Sequence, residues 1–551
     1  MTMQQTPLLL WRLLDRGAWI APDEEVVTLT AEGAHRQSYR ETRARACRLA
    51  SALASHGIAP GDRVASLMWN NHRHLEMYQA VPSMGAVLHT VNLRLPARDL
   101  EYVINHAEDR VIAVDEDLLP LLEPLADRLP SVELFLVCSA RGGERGKGGW
   151  KSSLRDCVDY EAFIEGHPED YDWPELDENA PLGLCYTSGT TGNPKGVMYT
   201  HRSTYLHTIT EAMTDAIGLS GRDSACGIVP MFHAMGWGLP FTAMMLGAKQ
   251  VMPHRFLDAG HLLGLFESEE VTISAGVPTI WQSVRSAIEA EPDRWDLSKL
   301  RCITCGGSAP PLSLIRWYWE TLGIEMVQAW GMTETNPLGT LTRMCSKRAH
   351  RRLTEEQRFA NVAKAGLLMP GLEMEIVDES FQPVPHDGVA LGELLVRGPW
   401  VCSEYYKDPQ PDRFHGGWLV TGDVARIDPE QYLIIADRSK DLVKSGGEWI
   451  SSVDLENHIV GMRGIAMATV VAQPHPKWEE RPVALVVPSE GSAATAEEVI
   501  AHCAKVFAKW QLPDDVLFRE ALPLTSTGKI DKKALRAELA AEGYRLPELR
   551  G

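Results

Sequence analysis

The sequence has no excess of positive charge: 74 Asp and Glu against 54 Lys and Arg leave a net charge of −20 over 551 residues. That balance excludes the basic surface wanted by nucleic acid or acidic lipid. A site for a polyanion then has to be assembled locally, from backbone amides and a few lysines. No apolar run approaches the roughly 18 uncharged residues of a membrane span. The opening MTMQQTPLLLWRLLDRG lacks a basic start and a small-residue cleavage site, so no secretory signal is expected. The closing LPELRG matches no lipidation or peroxisomal signal, and a cytoplasmic protein is expected. The ten cysteines are scattered and lack the spacing of a disulfide framework. Cys302 and Cys305 have CxxC spacing without a second pair to complete a zinc site, and read as small core residues of a strand, RCITCGG.

What is present is an ordinary globular composition, 44% hydrophobic and 23% charged, on a chain too long for one domain. Strand-like apolar runs alternate with helical patterns over about the first 435 residues, which predicts α/β architecture. RVASLMW at 63–69 precedes a helix around His74–Met84. The run LGLCYTS is followed by a loop, the strand VMYT and a helix with Leu206, Ile209, Met213 and Ile217 at helical spacing, stopping at Gly218. Residues 140–150, ARGGERGKGGW, read as a mobile surface loop. After the strand YLIIA the charged segment DRSKDL has no apolar periodicity, and a tail of domain size follows. In it, Thr495 and Glu498 make a capping-box pattern before Val499, Cys503 and Val506, with Pro513 as the stop. The expected division is a large α/β domain over 1–436, a hinge over 437–442 and a small mobile α+β lid over 443–551.

The most informative stretch is YTSGTTGNPKG at 186–196. Its glycines let backbone amides approach an anion closely, its hydroxyls add donors, and Lys195 adds one positive charge. Such a loop suits the β- and γ-phosphates of a nucleotide, yet it is not the GxxxxGK[ST] loop of P-loop proteins. The whole string resembles the signature of the acyl-adenylate-forming superfamily. Other motifs of that family follow in order: MFHAMGWG at 231–238, CGGSA at 305–309, QAWGMTE at 328–334, WLVTGD at 418–423, DRSKD at 437–441, KSGGEWISS at 444–452 and TSTGKID at 525–531. The resemblance runs over nearly the whole chain.

The resemblance implies a site, residue by residue. Nucleotide contacts are expected from Thr187, Ser188, Gly189, Thr190, Thr191, Gly192 and Lys195, and from Gly307, Ser308 and Gln328. Trp330 would stack on adenine, Gly331 would lie beside it, and Thr333 would touch the α-phosphate. Asp423 would hold the ribose hydroxyls, and Arg438 would reach the ribose or a phosphate. Glu334 would hold Mg²⁺, a hard cation usually shared between a carboxylate and phosphates. His233 would lie near the carboxylate being activated, and Lys529 would bridge that carboxylate and the α-phosphate, so the catalytic set is Lys529, His233, Thr333 and Glu334. Lys440 matches the hinge, and Ser445, Gly446, Gly447 and Trp449 match the loop that meets coenzyme A.

The implied function is an ATP-dependent acid–thiol ligase: an acid and ATP give an acyl-adenylate and diphosphate, and CoA then takes the acyl group. Short-chain members carry a bulky Trp after the adenine-stacking aromatic. Gly331 stands there instead, which opens the pocket beyond acetate or propionate. Met231, Met235, Trp237, Ala309, Gly331 and Leu338 are expected to line an acyl pocket with no fixed charge for a polar tail. The overall resemblance is greatest to bacterial medium- and long-chain fatty acyl-CoA synthetases, with methylmercaptopropionate-type ligases close behind, and it implies a homodimer. A branched or aromatic acid, or an acyl carrier protein in place of CoA, stays open. An amino-acid-activating enzyme is disfavoured because His233 and Ala234 stand where an Asp would hold the ammonium. A noncatalytic nucleotide sensor is disfavoured because a pure binder has no need of Lys529.

Overall fold

A computed structural model describes residues 3–139, 150–187, 193–446, 448–489, 491–525 and 529–547. The α/β architecture follows from strands too apolar to face water on either side. Val111–Asp115, Leu134–Cys138 and Cys302–Cys305 are buried at every position, as parallel strands covered on both faces require. Seven strands form one sheet, parallel except where Pro181–Tyr186 and Gly196–Thr200 pair as a hairpin around the glycine-rich loop. A nine-stranded sheet contains Ser224–Gly227, Ile273–Gly276, Cys302–Cys305 and Glu325–Gly331, all parallel to their neighbours in this group. Their carboxyl ends therefore point the same way, toward the crevice where open α/β sheets bind ligands.

A third sheet, of five strands, is antiparallel and alternates in burial, most regularly along Trp418–Ile427. Its last strand, Leu433–Arg438, runs directly into the C-terminal unit. There a five-stranded sheet is packed by the helices Ser452–Val460, Ala496–Cys503 and Lys532–Ala541. The capping box of Thr495 and Glu498 forms as expected, but its helix ends at Cys503, ten residues short of Pro513, and Val506 is exposed. No helix among the described residues is long and apolar enough to cross a membrane.

Three local expectations need correction. Trp150 is not part of a surface loop; it is buried in an apolar cluster that also contains Leu122 and Leu125, and the preceding residues 140–149 lie outside the described ones. The helix after the hairpin spans His201–Glu211 and does not reach Gly218. It also buries a polar side: Thr204, His207, Thr208 and Glu211 are inside, while Ile209 and Met213 are exposed. Apolar spacing pointed to the opposite face, because it presumes that whatever is buried is apolar.

Candidate active site

At the carboxyl ends of the large sheet lies a cavity of about 520 Å³. Its wall is drawn from segments that follow those strands: His233, Ala234 and Trp237, then Gly306 and Gly307, then Gly331 to Glu334. The C-terminal unit closes it with Thr525, Lys529 and Ile530, and the connecting segment adds Arg438, Ser439, Lys440 and Asp441.

One end is organised by Asp423. This carboxylate is buried just behind the wall formed by Trp330, Gly422 and Arg438. The Trp330 indole donates to its Oδ2 at 2.9 Å, and Arg438 Nε meets Oδ1 at 2.7 Å. Each carboxylate oxygen has two lone pairs, so acceptor capacity remains for further hydroxyls. The Trp330 ring packs so closely on Gly339 that a Cβ there would stand 2.5 Å from it. At Gly331 a Cβ would meet the Pro337 carbonyl oxygen at 1.9 Å. The missing side chain is therefore demanded by the return of the backbone.

Beside this end, Glu334 accepts from the Tyr405 hydroxyl at 2.6 Å, and Tyr199 fixes the turn by donating to the Thr333 carbonyl at 2.7 Å. Lys195 reaches the same wall, held by Gln410 at 2.8 Å and lying 5.0 Å over the Tyr405 ring. Thr187 and Lys195 close the base of the glycine-rich loop through Thr187 N–H to the Lys195 carbonyl, 2.9 Å. Ser188, Gly189, Thr190, Thr191 and Gly192 lie outside the described residues.

Lys529 enters this cavity, which holds it at about 8, below its ordinary 10.5, through burial first and the Arg438 charge second. Asp423 and Glu334 oppose that shift. His233 is driven to about 4 by burial and by Lys529, and is neutral at pH 7. Its segment is unusual: Ala234, Met235, Gly236, Trp237 and Gly238 all have positive φ, between 44° and 83°. For non-glycine residues this left-handed turn costs on the order of 1–2 kcal/mol each, and strain of this kind gathers at functional sites. It turns Trp237 into the cavity, against Gly306.

Several expected positions are not in the wall. Met235 turns the other way, its methyl pressed toward Gly183, and Met231 is buried in the main core. Ser308 is exposed and Ala309 half-buried, both outside the cavity wall, and Gln328 is buried behind it. Ser445, Gly446 and Trp449 also lie away from the cavity. Ser445 Oγ accepts from Arg481 at 2.9 Å, Gly446 N–H donates to the Trp478 carbonyl at 2.9 Å, and Trp449 is half-exposed; Gly447 lies outside the described residues. Tyr405, Arg413, Thr304 and Glu211 line the cavity and were not foreseen. Tyr405 and Arg413 sit between motifs, without a local pattern to mark them. Glu211 adds a titratable group to a pocket expected to carry no fixed charge, and burial, which raises its carboxyl to about 8, keeps it neutral at pH 7.

The profile of the AMP-binding enzyme family matches residues 15–406, and that of the AMP-binding enzyme C-terminal domain matches residues 454–529. The chain belongs to the AMP-binding enzyme family. It is 44% identical over 542 residues to a long-chain-fatty-acid–CoA ligase of Thermus thermophilus, covering 98% of this chain and 96% of that one. It is 42% identical to a 3-methylmercaptopropionyl-CoA ligase of Ruegeria lacuscaerulensis, covering 97% and 98%. Among solved structures, an anthranilate CoA ligase with anthranoyl-AMP bound superposes with a TM-score of 0.86 at 24% identity, over 98% of this chain and 99% of that one, a likeness of fold. The large AMP-binding domain followed by a small C-terminal domain is thus the arrangement of this family.

Proposed function

We propose that the protein is an ATP-dependent acyl-CoA ligase that adenylates a carboxylic acid and transfers the acyl group to CoA. The observation that carries this is the meeting of Lys529, from the C-terminal unit, with His233, Thr333 and Glu334 in one cavity. A carboxylate attacking the α-phosphate builds negative charge where a preorganised ammonium and backbone donors stabilise it most. Lys529 supplies the charge, and Thr333 and Lys195 hold the phosphates. The neutral His233 orients the acid without adding a competing charge. Asp423 takes the ribose hydroxyls as charge-assisted bonds, while Trp330 faces the base.

Among the described residues no cluster of three His, Cys, Asp or Glu is placed to hold a metal. One buried carboxylate, Glu334, with one oxygen held by Tyr405, fits Mg²⁺ arriving on the triphosphate, where it would neutralise phosphate charge. In the second half-reaction the unit beyond the hinge, 437–442 with Lys440 at its pivot, carries Lys529 out and brings Ser445, Gly446, Gly447 and Trp449 in to meet CoA. The names of the similar ligases support medium- and long-chain acids first and a methylthio-alkanoate second. A cytoplasmic homodimer belongs to the same proposal on the resemblance alone.

The test is incubation with ATP, Mg²⁺, CoA and acids from acetate to palmitate, with acyl-CoA products read by mass spectrometry. Medium- or long-chain thioesters are the expected result. Acyl-adenylate accumulating without thioester would move the acceptor to a carrier protein, and neither product would overturn the proposal.

The site also sets a pH dependence. A lysine held below its ordinary value disfavours the closed cavity when protonated, a penalty present below about 8 and removed between about 8 and 10.5. Chemistry, however, needs the ammonium. The kcat/KM of diphosphate release, which reports the free enzyme, is expected to fall on the alkaline side with an apparent pKa near 8. Lys529→Arg should lose that limb, and an unchanged limb in the variant would assign it to another group.

A further inference from the structure

We propose that the acyl end of the cavity is built to read a hydroxyl group on the tail of the acid, through Glu211 and Thr304. The inference rests on the adenylation reading above and names the substrate class of the same site. Around Ile217, Leu239 and Leu338 this end of the wall is apolar, yet it also contains two polar side chains that residue type alone would place elsewhere. Glu211, at the last turn of the helix His201–Glu211, is 1% exposed and faces the cavity. Thr304, on the strand Cys302–Cys305, is likewise 1% exposed, and its buried hydroxyl has no partner.

Glu211 faces the cavity with polar neighbours packed behind it. Its Oε2 accepts from the Thr242 hydroxyl. His207, one turn earlier, accepts through Nε2 from the Leu338 N–H at 3.3 Å, which assigns the ring proton to Nδ1, also buried without a partner. A Cβ built on Gly238 would stand 2.8 Å from His207 Nδ1 and 3.0 Å from Glu211 Oε2. A side chain there would clash with both, so the glycine is what lets these polar groups pack against the turn. Burial raises the Glu211 carboxyl to about 8, so at pH 7 it is a neutral group that both donates and accepts. A hydroxyl does the same and can pair with the Glu211 carboxyl, while the partnerless Thr304 hydroxyl in the same wall offers a second donor and acceptor. An unsubstituted alkyl tail would cover these groups and pair with none, and a site left with unpaired polar groups discriminates far more strongly than one that misses a methylene.

The experiment compares kcat/KM of the full-length enzyme for straight-chain acids with that for the same acids hydroxylated at successive positions in the distal half. At one position the hydroxy acid is expected to exceed its parent by on the order of 10–10²-fold. Glu211→Leu and Thr304→Val should abolish that preference and improve the parent acids, whereas Glu211→Gln, which keeps a donor and an acceptor, should retain most of it. Should Glu211→Leu not fold, Thr304→Val and calorimetric binding of the two acids to the wild-type enzyme decide the matter. Plain acids turned over with no hydroxylated acid preferred would overturn this inference and leave the ligase standing. A terminal amino acid preferred over both would overturn it in favour of an ionised Glu211. If no acid releases diphosphate, the ligase reading fails, and equal calorimetric affinities for hydroxy and parent acids would then sink this one as well.

Discussion

Replacing Lys529 by alanine is expected to slow acyl-adenylate formation by on the order of 10²–10³, the loss that follows removal of one transition-state donor. The same variant should transfer the acyl group from supplied acyl-adenylate to CoA at close to the wild-type rate. The asymmetry comes from the geometry. Lys529 lies in the cavity with Glu334 and Thr333, while Ser445, Gly446 and Trp449, proposed to meet CoA, lie outside it. One rigid arrangement cannot place both sets at the reacting carbon. Contacts across the proposed hinge hold the present state: Ser452 N–H donates to Asp437 at 2.9 Å, Arg426 pairs with Asp454 at 3.0 Å, and Arg536 with Asp441 at 2.8 Å. Single-turnover measurement of diphosphate release and of thioester formation separates the two steps. Equal loss in both would mean that Lys529 serves the whole site and that no exchange of segments occurs.

The lowered value of Lys529 adds a link between nucleotide and closure. Its charge is disfavoured by burial and by Arg438. A bound triphosphate reverses that balance, so ATP stabilises the closed arrangement and the closed arrangement binds ATP more tightly, by the same factor. After diphosphate leaves, the attraction weakens. Lys440, itself in the wall and lowered by half-burial, stands where such a rotation would pivot.

The architecture was legible in the sequence because fully buried parallel strands are written as unbroken apolar runs, as in VIAVD and LFLVC. Much of the cavity wall was legible for a different reason. Its residues sit in short motifs at strand ends, where backbone geometry constrains residue type over several positions at once. Gly331 illustrates the limit of that reading: it lines the cavity, but the closeness of the Pro337 carbonyl depends on a turn that sequence does not display. Met235 and Trp237, two residues apart, would share a face on a strand. A run of left-handed residues sends one to the core and the other to the cavity. Glu211 was hidden for the opposite reason, since its helix buries polar residues and exposes Ile209, against the pattern on which helix faces are assigned.

Glu334→Gln should be nearly as damaging, lowering diphosphate release by on the order of 10²–10³ when a cation-binding carboxylate is lost. The substitution is almost isosteric and can keep the bond from Tyr405, because the amide oxygen still accepts. What changes is the other atom: an oxygen able to face a cation becomes an NH₂ that repels one. The variant should therefore fold, bind the acid and fail with the nucleotide, and the Mg²⁺ concentration for half-maximal rate should rise. Tyr405→Phe is the graded control. It leaves the carboxylate but frees it to rotate, and second-layer losses of this type cost about 10–100-fold in metal affinity or activity. If Glu334→Gln kept both its rate and its Mg²⁺ requirement, Glu334 would be a buried partner for Tyr405 alone. The cation would then depend on the triphosphate and on residues of the glycine-rich loop.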